Sequence, residues 1–233
     1  AYEIASYFEV PAFVLLGAVA ALVAILFQTS VIFADWFART IPLPLVARPV
    51  IGGLMGGIMA IWLPEGLGVG YDTTDAALKG SIPLVMLFVL IVAKTAATAI
   101  TLASRFGGGV FSSALYLGAM TGGAFGIIAA EVFPEAASSE SLYAILGMGA
   151  VAAAVLGAPI STTVMVFELT GGFALSLALL LTVAVANGLS SAVLGRSLFQ
   201  TQLEQRGYVM HQGSHQIIMR RIAVADFMVR PAQ

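Results

Sequence analysis

From Val10 to Phe33 the chain shows neither the helical nor the strand alternation of apolar and polar positions. Gln28, Thr29 and Ser30 are the only polar side chains in the run. A segment apolar on every side predicts a helix surrounded by other helices or by lipid, and this one exceeds the roughly 20 residues that a membrane span requires. Pro11 suits its first turn, where the missing N–H is not needed. A polar patch, ADWFARTIPLPLVARPV, follows with Asp35, Arg39, Arg48 and three prolines. It leads into IGGLMGGIMAIWLP, a second helix whose Gly52, Gly53, Gly56 and Gly57 recur at the four-residue spacing that lets membrane helices meet backbone to backbone. The stretch EGLGVGYDTTDAALKGS is too polar to cross and reads as a loop or re-entrant segment. Residues 82 to 103 form a third helix containing Lys94, and Val110 to Ala130 a fourth, with Gly118, Gly122 and Gly126 on one face. The remaining apolar run divides at Gly157-Ala158-Pro159 and at Gly171-Gly172. Its pieces are roughly 17, 11 and 20 residues long, and the shortest would span only about 17 Å of a bilayer core about 30 Å thick. Short and broken helices are therefore expected, and function is expected at the breaks, since backbone groups freed there need protein, water or an ion as partner.

Composition agrees with this pattern: 60% of the 233 residues are hydrophobic and 9% charged, against about 25% charged in a soluble domain. The expected class is an all-α, polytopic membrane protein with membrane lipid as its surroundings. A net charge of -2 and scattered Lys and Arg give no basic stripe for nucleic acid. Without cysteine, thiol chemistry and disulfides are excluded, and His211 and His215 both lie in the polar tail, away from the spans. Asp72 and Asp75 sit in a polar loop instead of forming the paired acids of an intramembrane protease, and the two-histidine zinc-protease helix is absent. No enzyme and no cofactor has positive support. Ala1 is preceded by no initiator methionine and no basic leader opens the chain, so it is expected to begin inside a longer protein.

The chemistry-bearing feature is SRFGGGVFSSALYLGAMTGGAFG, where Gly107, Gly108 and Gly109 stand directly before an uncharged helix. Residues without Cβ allow close approach of the backbone. The next N–H groups, of Val110 and Phe111, sit at a helix N-terminus with its partial positive charge, a seat for an anion held by neutral dipoles. The alternative is a tight turn without a ligand. Lys94 either raises the potential along an anion path or reaches an interface. Glu168, the one charge between Ser141 and Gly195, lies at a helix end and is expected to be structural.

GGGVFSSALYLGAMTGGAFG resembles the glycine-x-Phe-x-Pro motif that opens a helix in the CLC family of chloride channels and proton-coupled chloride exchangers. GMGAVAAAVLGAPISTTVMVFELTGG is similar to the family's paired helices further on. The likeness extends to SSAVLGRSLFQTQLEQRG and corresponds to the second of two inverted repeats plus the last membrane helix, over residues 1–206. It implies chloride, or another small anion, held by the backbone amides of Val110 and Phe111 after Gly109, in the C-terminal half of a channel or exchanger whose N-terminal half is absent from this sequence. Two departures stand out. Ser113 occupies the motif's proline position, and Ser190 the position where the last membrane helix usually begins with a tyrosine facing the anion; Ser190 either donates a shorter hydroxyl or caps that helix. The family's dimers imply a homodimer through residues 159–194, with Ser161, Thr162 and Thr163 available for hydrogen bonds. In the tail, residues 207–233, MRRIAVADFMVRPAQ resembles the start of a CBS domain, and Arg206, Arg220, Arg221 and Arg230 place it in the cytoplasm by the positive-inside rule. A bacterial inner membrane is the expected location. The rival reading is a membrane scaffold or assembly module whose glycines serve packing alone.

Overall fold

The computed structural model describes residues 9–205 apart from 43, 45, 67, 133–138, 171 and 172, and among the described residues there are nine α-helices and no strand. They are α1 (Val10–Thr40), α2 (Ala47–Trp62), α3 (Tyr71–Leu78), α4 (Leu84–Ala103), α5 (Val110–Val132), α6 (Glu140–Leu156), α7 (Pro159–Thr170), α8 (Phe173–Leu194) and α9 (Leu198–Gln205), with one 3-10 turn at Pro64–Gly66. Among the described residues four helical stretches are long and apolar enough to cross a membrane: α1, α4, α5 and one that begins within α8. The chain to Leu198 is one compact unit, and a second begins at Phe199. The tail with its histidines, arginines and CBS-like residues lies outside the described residues, as do Gly171 and Gly172.

Helix α6 is the centre of the first unit. Every residue from Leu142 to Val155 is buried, because α1, α5, α7 and α8 all pack against it. Its small side chains allow this, and on the α5 side even a methyl group is excluded. A Cβ on Gly122 would lie 2.0 Å from the Tyr143 carbonyl oxygen, one on Gly118 2.4 Å from that of Gly147, and one on Gly147 2.5 Å from that of Gly118. The glycine face expected on the fourth helix is thus real. On α2 it is only half so: Gly52 closes onto the Ser104 side chain, whereas nothing lies within 4 Å of Gly56 or Gly57.

Several boundaries differ from the sequence reading. Helix α1 continues seven residues beyond Phe33, since Asp35 and Arg39 pair across one turn and carry its polar end. It stops with Ile41 extended before Pro42, as the residue before proline requires. Asp72 and Asp75 lie on the short helix α3, not in a loop, with Asp75 paired to Lys79. The break at Gly157 is as expected. Gly157 ends α6 in the left-handed conformation with φ 68°, and Pro159 opens α7. Helix α8, in contrast, runs unbroken through Ser190, so Ser190 neither begins nor caps a helix.

Candidate functional site

The glycine turn is set up by the way α4 ends. Phe106 N–H bonds the Thr101 carbonyl and Arg105 N–H that of Leu102, a Schellman closure in which the left-handed residue is normally glycine. Here it is Arg105, with φ 65°, a conformation that costs a residue with a Cβ about 1–2 kcal/mol. Gly107, Gly108 and Gly109 have no positive φ. Their contribution is space, since nothing lies within 4 Å of where a Cβ on Gly107 or Gly109 would stand. All three are exposed, whereas Val110, the first residue of α5, is buried and Phe111 half-buried. The N–H groups of the first turn have no helical carbonyl behind them, and they carry the positive end of a helix dipole.

A dedicated brace holds this helix start. Ser113 Oγ donates to the Gly109 carbonyl at 3.1 Å and accepts from Thr98 Oγ1 of α4 at 3.1 Å. The serine at the motif's proline position thus fastens the first turn of α5 to α4. Ser112 Oγ donates to the Val69 carbonyl at 3.3 Å, and Tyr116 Oη to that of Glu65 at 3.3 Å. Lys94, on α4 and buried, completes the brace. Its Nζ donates to the carbonyls of Gly66 at 3.1 Å and Gly68 at 2.6 Å, and lies 4.8 Å from the Tyr116 ring centre. Neither role considered for Lys94 from sequence describes this. Gly70 is indispensable to the arrangement: its φ is 77°, and a Cβ there would come within 2.6 Å of the Tyr116 ring.

Ser190 lies apart from the turn, deep on α8 and 2% exposed. Gln28 of α1, 1% exposed, donates its Nε2 to Ser190 Oγ at 3.3 Å and to the Ala154 carbonyl at 3.4 Å. Val110 and Ala154 belong to one core cluster with Phe27 and Ala186, so the helix start and the Gln28–Ser190 pair border the same packed region. Sequence reasoning passed over Gln28. Its signal was an isolated amide in an apolar span, which hydrocarbon does not tolerate unpartnered. Glu168 is exposed near the end of α7. Among the described residues no cluster of His, Asp or Glu could hold a metal ion.

A polytopic helical core with an open, charge-free helix N-terminus defines the class as a membrane protein with a backbone-lined polar turn. Its family follows from the comparisons. The chain matches the family model "Voltage gated chloride channel" over residues 2–191 and belongs to that family. It is 33% identical over 195 residues to the H(+)/Cl(-) exchange transporter ClcA of Cronobacter sakazakii, covering 82% of this chain and 42% of that protein. It is also 33% identical over 159 residues to ClcA of Klebsiella pneumoniae, covering 67% of this chain and 34% of that one. The solved structure of a slow cyanobacterial Cl-/H+ antiporter superimposes with a TM-score of 0.78 at 23% identity, over 88% of this chain and 48% of that chain. The chain therefore spans less than half the length of these relatives.

Proposed function

We propose that this chain supplies the anion-seating half of a chloride transporter, with chloride or a similar small anion held by the backbone N–H groups of Val110 and Phe111 beyond Gly109. The observation that carries the reading is the start of α5. The glycines before it are exposed, with open space where a Cβ on Gly107 or Gly109 would stand. The first-turn N–H groups of a helix have no helical partners, and the neighbouring serine and lysine side chains are spent on carbonyls. Neutral dipoles attract an anion without trapping it, as conduction requires. The exchange activity in the names of the relatives points to proton-coupled exchange ahead of a channel. Ser190, held by Gln28, is a second hydroxyl that can face the ion path.

Two further parts of the proposal concern assembly and place. The protein is a homodimer joined through residues 159–194, where Ile160, Val164 and Phe167 of α7 and Leu177 and Leu180 of α8 are exposed. Two of the three hydroxyls expected to help do not face outward freely. Thr162 is buried within the chain, and Thr163 Oγ1 donates to the Pro159 carbonyl at 2.8 Å. Among them Ser161 alone is exposed, so apolar packing dominates that face. The membrane is a bacterial inner membrane, a reading supported by the bacterial source of the relatives, with the tail on the cytoplasmic side.

The test is a comparison of two substitutions in the full-length protein. Val110→Ala keeps the backbone donor; Val110→Pro removes it while retaining a backbone angle that suits a first helical residue. A hydrogen bond to a charged group contributes about 1.5 to 3 kcal/mol. Chloride affinity by isothermal titration should therefore fall roughly 10-fold to 150-fold in Val110→Pro, with flux from vesicles falling alongside, and change little in Val110→Ala. Equal binding by the two variants would remove the helix start from the ion path and favour the scaffold reading, in which the glycines serve packing alone.

A further inference from the structure

A cleft of about 180 Å³ opens where the end of α1, the start of α2 and the end of α4 meet, and no residue of α5 lines it. Phe37 and Ile41 of α1, Ile51 and Met55 of α2, and Ile100 of α4 give it apolar walls, and Arg48 is its one charged wall residue. The Nε of Arg48 is buried and has no hydrogen-bond partner. A buried, unpaired donor on a guanidinium is costly enough that native structures nearly always satisfy it. The other cations at this end offer no substitute: Arg39 is paired with Asp35, while Arg105 is exposed beyond α4. Phe37 of the wall and its chain neighbour Trp36 are 54% and 58% exposed, in the way aromatic side chains mark the headgroup level of a bilayer.

We propose that this cleft is a binding site for one anionic phospholipid. The phosphate of the headgroup accepts from Arg48, and an acyl chain lies along Ile51 and Met55. Charge complementarity selects this occupant, because a planar guanidinium matches phosphate in bidentate geometry and the walls beside it favour hydrocarbon over water. Arg39, Arg48 and Arg105 lie at one end of the helices, and basic residues at a membrane surface favour anionic lipid. A soluble phosphate would leave the apolar walls uncovered, and a zwitterionic lipid would bring its own cation close to Arg48.

Native mass spectrometry of the full-length protein in non-ionic detergent tests this, with phosphatidylglycerol and phosphatidylcholine of identical acyl chains added in turn and inorganic phosphate in a third arm. The unaltered protein should retain one phosphatidylglycerol, with clear preference over phosphatidylcholine, and inorganic phosphate should not displace it. Arg48→Gln should lower phosphatidylglycerol occupancy roughly 10-fold, the loss of one charged hydrogen bond. Arg105→Gln, at the same end but outside the cleft, should lower it less than Arg48→Gln does, by about fivefold at most. Equal retention of the two lipids by the unaltered protein overturns the proposal without any variant needing to fold. Displacement by inorganic phosphate, or an Arg48→Gln protein that keeps phosphatidylglycerol as tightly as the unaltered one, does so too.

Discussion

Lys94 shows what a single residue in an apolar run can conceal. From sequence it is a charge in the middle of a span, and an intramembrane charge is costly and commonly functional. Its partners, the carbonyls of Gly66 and Gly68, lie 28 and 26 positions earlier in the chain, in the polar stretch before α3, and no periodicity connects the two. The same distance hid the Gln28–Ser190 pair, whose members are 162 positions apart. The Gly107–Gly109 turn was legible because glycines interrupt an otherwise uniform apolar pattern, yet their backbone angles were not, and the strained angle fell to Arg105. Replacing Lys94 with methionine should leave the two carbonyls without their donor, at about 1 to 3 kcal/mol for an unsatisfied polar group. Amide exchange in residues 66 to 70 should quicken and the melting temperature should fall. Reduced chloride binding with unaltered exchange there would instead make Lys94 an electrostatic element of the pathway.

At the scale of helices, apolar length and glycine spacing foretold most of the architecture. The spans were readable because nothing but lipid or protein accommodates such runs, and the kink at Gly157-Ala158-Pro159 because its residues both end and begin helices. What failed were ends governed by polar pairs: the Asp35–Arg39 bridge lengthens α1, and α3 forms within a stretch too short and mixed for periodicity to register. Glycine spacing also promised a close contact for all of α2, which only Gly52 fully makes. The α5–α6 crossing is the stronger case. Gly122→Val would drive a branched side chain into the Tyr143 carbonyl, and overpacking of this kind costs about 3 kcal/mol or more. The expected outcome is a large loss of thermal stability in detergent, while Gly56→Val, at an open position, leaves it within about 0.5 kcal/mol. Similar losses for the two would mean that α2 is packed as tightly as α5 in the assembled protein.

For the molecule as a whole, the exposed face of α7 and α8 sets the proposed assembly. Without a hydrophobic drive between helices in lipid, association rests on packing, and a side chain that blocks close approach should be felt more than one that deletes a hydrogen bond. Val164→Trp and Leu177→Trp in the full-length protein should shift its mass in detergent toward the monomer while each subunit keeps its chloride affinity. Dimers as stable as those of the unaltered protein after both replacements would place the interface elsewhere.

The interlocked backbones of α5 and α6 have a mechanical consequence. Two helices whose carbonyls and α-carbons touch at Gly118, Gly122 and Gly147 have no layer of side chains to slide upon, and packed interfaces of this density shift between discrete arrangements instead of deforming gradually. The ion seat proposed at the head of α5 is therefore bolted to the middle of the first unit, and in the transport cycle proposed it would be the stator. Motion is left to parts with slack: α2, with its open glycines, and the joint at Gly157. Spin labels on the outer ends of α5 and α6 should report one unchanging distance with and without chloride, whereas a label pair linking α2 to α4 should report two; a chloride-dependent change between α5 and α6 would show that the seat itself travels.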